Sequence, residues 1–222
     1  MTDMLFSPKK INVPDTLVLI PHFYDRAVFK KLQIRARKTV HLLGSDVLVF
    51  QAYALVTGFL GYPFLLTLLE FIAGVKQKEI FFLGTAGSLN PRWDHPCALN
   101  VTRIHASSVF THFSTCQDFG LKDLENDQFE RVSAVSVDIL QRETRSWLKS
   151  QESRGIDAVE MEIFPLRLFL EKPFVALVVL SDRVTGNGIQ PFSDVERLKK
   201  VFAGTFGFIE SLIQGEKSIG DR

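Results

Sequence analysis

Three short segments of this chain carry residue types suited to chemistry on a polar substrate. Val159-Glu160-Met161-Glu162 sets two carboxylates two residues apart. In an extended segment both point to the same face. An acidic pair beside apolar sequence is costly to bury unless something binds it. One carboxylate can accept from two sugar hydroxyls at once; the alternative is a solvated strand edge. Ser181-Asp182 follows the most apolar run in the chain, Phe174 to Leu180. An acid at that point is either a cap for a following helix or an active-site acid. In apolar surroundings its pKa rises, which lets it hold a proton to donate. Gly84-Thr85-Ala86-Gly87-Ser88 follows another apolar run, Glu79 to Leu83. Glycines let a backbone approach a ligand closely, and free amides with hydroxyls can cradle an anion or a sugar. The segment reads equally as a plain turn, and it is neither a Walker loop nor a G-x-G-x-x-G fingerprint.

Other chemistries lack their residues. His22, His41, His95, His105 and His112 are scattered without metal-ligand spacing, and no H-E-x-x-H, C-x-x-C or G-x-S-x-G occurs. Cys97 and Cys116 have no setting that would lower a thiol pKa, so they read as buried thiols of a reducing compartment.

The elements that must position these segments alternate short apolar runs with longer helical patterns. Thr16 to Ile20, Asp46 to Leu55, Glu79 to Leu83, Ala98 to Ile104, Ser133 to Val137 and Phe174 to Leu180 read as strands, with Ala158 to Glu162 short and extended. Pro63 to Ala73, Gln141 to Ser153, Ile163 to Leu170 and a last segment capped by Ser193 and ending near Ile213 read as helices. Gly215 to Arg222 reads as a tail. From Tyr53 to Gly74 the single charge is Glu70, but Gly58, Gly61 and Pro63 interrupt the stretch, which argues for a strand, a turn and a core helix over a membrane span. Strands separated by such helices suggest a three-layer α/β/α fold, a mixed central sheet flanked by helices, in one domain over residues 1–222 with its core at about 13–214. Ligands of such sheets gather at the carboxyl ends of strands, where all three segments fall.

Bulk properties agree. The chain has 222 residues, 46% of them apolar and 23% charged, with 20 phenylalanines to fill a large core. A formal net charge of +1 gives no field for nucleic acid or an anionic membrane. No apolar run suited to a secretory signal follows Lys9 and Lys10, and the expected location is cytoplasmic.

Taken in order, these segments resemble the nucleoside phosphorylase and nucleosidase family, of the purine and uridine phosphorylase and methylthioadenosine/S-adenosylhomocysteine nucleosidase type. Ala158 to Glu162 is similar to its V-E-M-E stretch, Ser181-Asp182 to its catalytic S-D, and Gly84 to Gly87 to its glycine turn. Ser136-Val137-Asp138 resembles its S-x-D segment, and Pro21 to Ala27 its first-strand loop. The resemblance runs from about Leu17 to Ile213. It implies cleavage of the N-glycosidic bond of a purine-type nucleoside. Asp182 would be the general acid at N7, Glu162 would bind the ribose hydroxyls with Met161 packed on the sugar, and Thr85 would sit near the nucleophile. Glu160 and Gly84 join the substrate-binding set. Arg26, with Thr85, stands where phosphorylases bind phosphate. No cofactor is implied, phosphate being a co-substrate at most, and the family assembles as homo-oligomers, dimers or hexamers.

The chain also departs from the pattern. Phe82 stands where phosphorylases keep an arginine, His22 and Phe23 where they keep glycine and aspartate, and Leu140 where an aromatic residue stacks on the base. A lone arginine neutralises a dianion poorly, which turns the expectation toward hydrolysis. The water-activating glutamate of nucleosidases has no counterpart, leaving Asp25 or His22 as substitutes. Arg197, beside Glu196, resembles an arginine that supports the catalytic aspartate. The alternative is a catalytically impaired nucleoside-binding protein on the same scaffold.

Overall fold

The computed structural model describes residues 10–23, 25–59, 61–106, 118–137 and 144–215. Its strands are β1 (Thr16–Ile20), β2 (Lys38–Leu42), β3 (Ser45–Val49), β4 (Tyr53–Thr57), β5 (Glu79–Ser88), β6 (Ala98–Ala106), β7 (Asp118–Gly120), β8 (Glu130–Ser136), β9 (Ala158–Glu160), β10 (Val175–Thr185) and β11 (Gly188–Pro191). The helices are α1 (Arg26–Arg35), α2 (Gly61–Glu70), α3 (Arg145–Ser153), α4 (Ile163–Leu170) and α5 (Val195–Gln214). All eleven strands join one mixed sheet, in the order β11-β10-β6-β8-β9-β5-β1-β4-β3-β2, with β7 on β6.

Alternation along the strands sorts the core. Leu17 and Leu19 of β1, Phe82 of β5 and Val178 of β10 cluster with Leu65, Leu68 and Leu69 of α2 and with Ile163 and Leu166 of α4. Val18 and Ile20, Leu83, and Leu177 and Val179 cluster instead with Leu32 of α1 and with Phe202, Phe206 and Ile209 of α5. The period of two across these strands therefore divides their side chains between two helix pairs. Leu17 through Ile20 are fully buried, so truncating Leu17, Leu19 or Ile20 to alanine costs about 2–5 kcal/mol.

An additional pairing of β10 with β5 closes part of the sheet. Starting at β5, the hydrogen-bonded neighbours run to β10, β6, β8, β9 and back to β5. Strand β5 changes partners to allow this: Thr16 to Leu19 of β1 flank its first residues, whereas Gly87 and Ser88 pair with β9.

Several elements differ from the sequence expectation. Asp46 to Leu55 is two antiparallel strands, β3 and β4, which turn at Phe50 to Ala52 without glycine or proline to mark the break. The glycine segment after Leu83 is extended strand, not a turn. Strand β10 runs past Leu180 through Ser181 and Asp182 to Thr185. The last helix is capped by Asp194, whose Oδ1 accepts from Arg197 N at 2.8 Å, in place of Ser193. Residues 141–143 of the expected polar helix lie outside the described residues; the described part, α3, is capped by Thr144. The Tyr53 to Gly74 stretch divides into β4 and α2, with Pro63 in the first helical turn. Among the described residues no helix is long and apolar enough to cross a membrane.

Candidate active site

Strands β5 and β10 run parallel, and β9 crosses antiparallel at the end of β5, so three chain segments meet at one place. They line a cleft of about 180 Å³. Thr85, Ala86 and Gly87 come from β5, and Val159 to Glu162 from β9 and the start of α4. Ser181, Asp182 and Val184 come from β10, and Ile189 from β11. The three segments singled out in the sequence thus share one cavity wall.

Asp182 sits at an irregularity. Leu180 pairs with Ala86 and Asp182 with Gly87, so β10 spends two residues against one of β5. Such bulges re-aim side chains beside functional sites. The Ser181 hydroxyl donates to Asp182 Oδ2 at 2.6 Å. Oδ1 lies over Gly87, where a Cβ would come within 2.8 Å of it. Burial pushes the Asp182 carboxyl above its ordinary pKa, with the Ser181 hydrogen bond opposing.

The carboxylates of the acidic pair have separate surroundings. Glu160 is buried. Its Oε2 accepts from Glu162 N at 2.6 Å and Ile163 N at 2.7 Å, and Oε1 accepts from the Ser136 hydroxyl. The same hydroxyl oxygen accepts from Phe164 N at 2.9 Å. Glu160 and Ser136 together satisfy the orphan amides that open α4. Glu162, the N-cap residue of α4, makes no side-chain cap hydrogen bond. Its carboxyl is pushed up to about 7 by burial, against the backbone amides of Met161 and Gly61. Burial, reinforced by Glu162, pushes Glu160 up to about 8.

Other residues from the sequence reading fall elsewhere. Arg26 opens α1, exposed, and lines a different hollow with His22, Phe23, Asp46 and Gly58. Asp25 caps α1, accepting from Ala27 N at 2.7 Å and Val28 N at 3.2 Å. Phe82 is buried in the core, with its ring over Gly84, where a Cβ would lie 2.6 Å from it. Gly84 therefore serves the packing of Phe82 and does not line the cleft. Arg197 is exposed on α5, its backbone N–H engaged by Asp194. Burial pushes the half-buried Cys97 thiol up to about 11. Asp138 and Leu140, with Cys116 and His112, lie outside the described residues. Among the described residues no group of three metal-ligating side chains converges, and no Lys, Arg or His lines the cleft.

Sequence reasoning passed over Val184 and Ile189. The signal was present: Thr185 and Gly188 pair across Gly186-Asn187, a glycine-bearing two-residue connection of hairpin type.

No family model matches the chain, and no curated protein matches it in sequence. Solved structures do share its fold. 5′-Methylthioadenosine/S-adenosylhomocysteine nucleosidase of Helicobacter pylori superposes with a TM-score of 0.68 at 17% identity, over 92% of this chain and 100% of that one. Futalosine hydrolase of the same organism gives 0.69 at 16%, over 91% and 98%. Purine nucleoside phosphorylase of Toxoplasma gondii gives 0.66 at 15%, over 97% and 99%. The fold is that of the nucleoside phosphorylases and nucleosidases.

Proposed function

We propose that this protein cleaves the N-glycosidic bond of a purine-type nucleoside by hydrolysis, with Asp182 as the general acid. The observation that carries the reading is the placement of Asp182, whose carboxyl burial raises above its ordinary pKa, in the same cleft as the carboxyl of Glu162, which caps no amide of α4. At about 180 Å³ the cleft suits the glycosidic centre of the substrate, with the far ends of base and sugar at its rim. Asp182 gives its proton to N7 of the base as the C1′–N9 bond breaks, so the base departs neutral. Glu162 accepts from the ribose hydroxyls, with Met161 against the sugar. Positive charge growing on the ribosyl ring is favoured by the Asp182 carboxylate that the proton transfer leaves behind, in a site of low dielectric. Water then adds to C1′, and the proton it releases restores the acid over the cycle.

Hydrolysis is preferred over phosphorolysis on electrostatic grounds. A phosphate dianion entering the cleft would meet no lining cation to neutralise it among the described residues. Arg26 belongs to another hollow, and Phe82 is committed to the core. Nucleoside binding without turnover is the second reading. It is favoured by one observation: Asp25 is spent as a helix cap and His22 lines the other hollow, so neither supplies the cleft with a base for water.

The test is release of free base from a panel of purine nucleosides, including 5′-methylthioadenosine, with and without phosphate. Phosphate-independent release is expected. Release that requires phosphate would replace hydrolysis by phosphorolysis; tight binding without release would select the second reading.

A further inference from the structure

We infer that Ile189 is a specificity-determining residue: on the β10–β11 hairpin it covers the face of the departing base, and Arg145 is the positioning residue that holds this hairpin. The inference rests on the nucleoside-cleaving reading and deepens it.

Ile189 is a large aliphatic residue left 42% exposed, yet it lines the cleft. Its partner across the hairpin is Val184. Directly opposed residues of an antiparallel pair project from the same face, with Cβ atoms about 4.5–5.5 Å apart. Val184 is itself buried, with Cγ2 so close to Gly87 that a Cβ there would meet it at 2.7 Å. The pair therefore forms a continuous apolar strip, buried at Val184 and bare at Ile189. Val184 also lies two residues beyond Asp182 on the same strand, hence on the same face and about 7 Å further along. A purine that presents N7 to Asp182 lays its ring across this strip. The exposed surface of Ile189 is then removed from water by the ligand, in the manner of an apolar pocket wall beside a few placed polar groups.

The hairpin is held from behind. Arg145, the first residue of α3, donates from Nε to Gly186 O at 3.1 Å and from Nη2 to Asn187 Oδ1 at 2.9 Å. The approach is close enough that a Cβ on Gly186 would lie 2.8 Å from Arg145 Cγ. Within the turn, Thr185 Oγ1 donates to Gly188 O at 3.0 Å and accepts from Asn187 N at 3.2 Å. One turn along α3, Leu148 shares a small apolar cluster with Val159 and Val184. Helix α3 thus backs both the apolar wall and the turn that carries Ile189.

The experiment measures adenine binding by calorimetry, with KM and kcat for 5′-methylthioadenosine, on the wild type, Ile189→Ala and Arg145→Ala. Ile189→Ala is expected to bind adenine about tenfold more weakly, the scale of one large aliphatic contact. KM should rise in step, with kcat within about threefold. Arg145→Ala should raise KM with an unchanged pH profile, and Arg145→Lys should recover part of the loss. Adenine binding by Ile189→Ala as tight as wild type overturns the inference while leaving the nucleoside reading in place. A wild type with no affinity for adenine or for nucleosides removes that reading, and the role of Ile189 with it.

Discussion

Asp182 stands directly opposite Gly87 in the β5–β10 register, so close that a single methyl group on Gly87 would come within 2.8 Å of Asp182 Oδ1. The same methyl would meet Val184 at 2.7 Å and Val159 at 3.1 Å. Gly87→Ala should therefore displace the acid and its apolar neighbours together. A stability loss of about 1–3 kcal/mol is expected from overpacking, together with a fall in kcat well beyond what the remaining folded fraction explains. Thermal unfolding and steady-state kinetics on the same preparation check this; a variant with wild-type kcat would show that the contact does not position the acid.

Asp182→Asn keeps the shape and can still accept from Ser181, but it has no proton of suitable acidity to give. Turnover should fall by about 10²- to 10⁴-fold, the usual scale for loss of a general acid, while nucleoside affinity stays near wild type. Because burial raises the Asp182 carboxyl, the protonated, active form persists to higher pH than for an exposed aspartate. Wild-type kcat/KM should then decline on the alkaline side, and that limb should vanish from the residual activity of the variant.

The acidic pair links stability to pH. Glu160 is raised to about 8 and Glu162 to about 7 from an ordinary 4.5. A carboxyl raised by folding contributes stability that is complete below its unfolded value and is lost as pH rises through its folded one. The free protein should thus melt at progressively lower temperature from about pH 5 to about pH 8. Glu160→Gln retains an oxygen for the Glu162 and Ile163 amides and an NH₂ for Ser136, yet has no charge to acquire. Its melting temperature should vary less over that interval; equal slopes would refute the linkage.

Phe82→Arg restores the residue type found in phosphorylases but should not create phosphate dependence. Phe82 is 1% exposed in the cluster with α2 and α4, so an arginine there is an unpaired charge in an apolar core. Loss of soluble protein, or a stability cost of at least about 3 kcal/mol, is expected. A well-folded variant with phosphate-stimulated base release would contradict this.

Much of the site was legible because its parts are local. Strand β1 and helix α4 match their sequence bounds, since a buried run of branched residues and a compact apolar helix each carry their own signal. The residue types alone did not divide the labour within Val159 to Glu162; the resemblance put ribose binding on Glu162 but kept Glu160 in the same substrate-binding set. Glu160 and Glu162 look equivalent in sequence, and only the start of α4 beside Ser136 makes one a structural cap and leaves the other to face the cleft. The glycine segment misled because glycine signals turns by backbone freedom, whereas here it answers the pressure of Phe82, Val184 and Asp182 from neighbouring positions. The separation of Arg26 from Asp182 is a matter of tertiary placement, which no local pattern encodes.

The circuit of strands from β5 through β10, β6, β8 and β9 back to β5 leaves none of its members with a free edge along the circuit. To detach any one of them, ladders on two sides must break at once. The cleft residues carried by β5, β9 and β10 therefore belong to a single cooperative unit, with Ile189 on the edge strand β11 outside it. Amide protons of β5 and β10 within the circuit should exchange with solvent only through an opening that also displaces Asp182 and its neighbours on these strands.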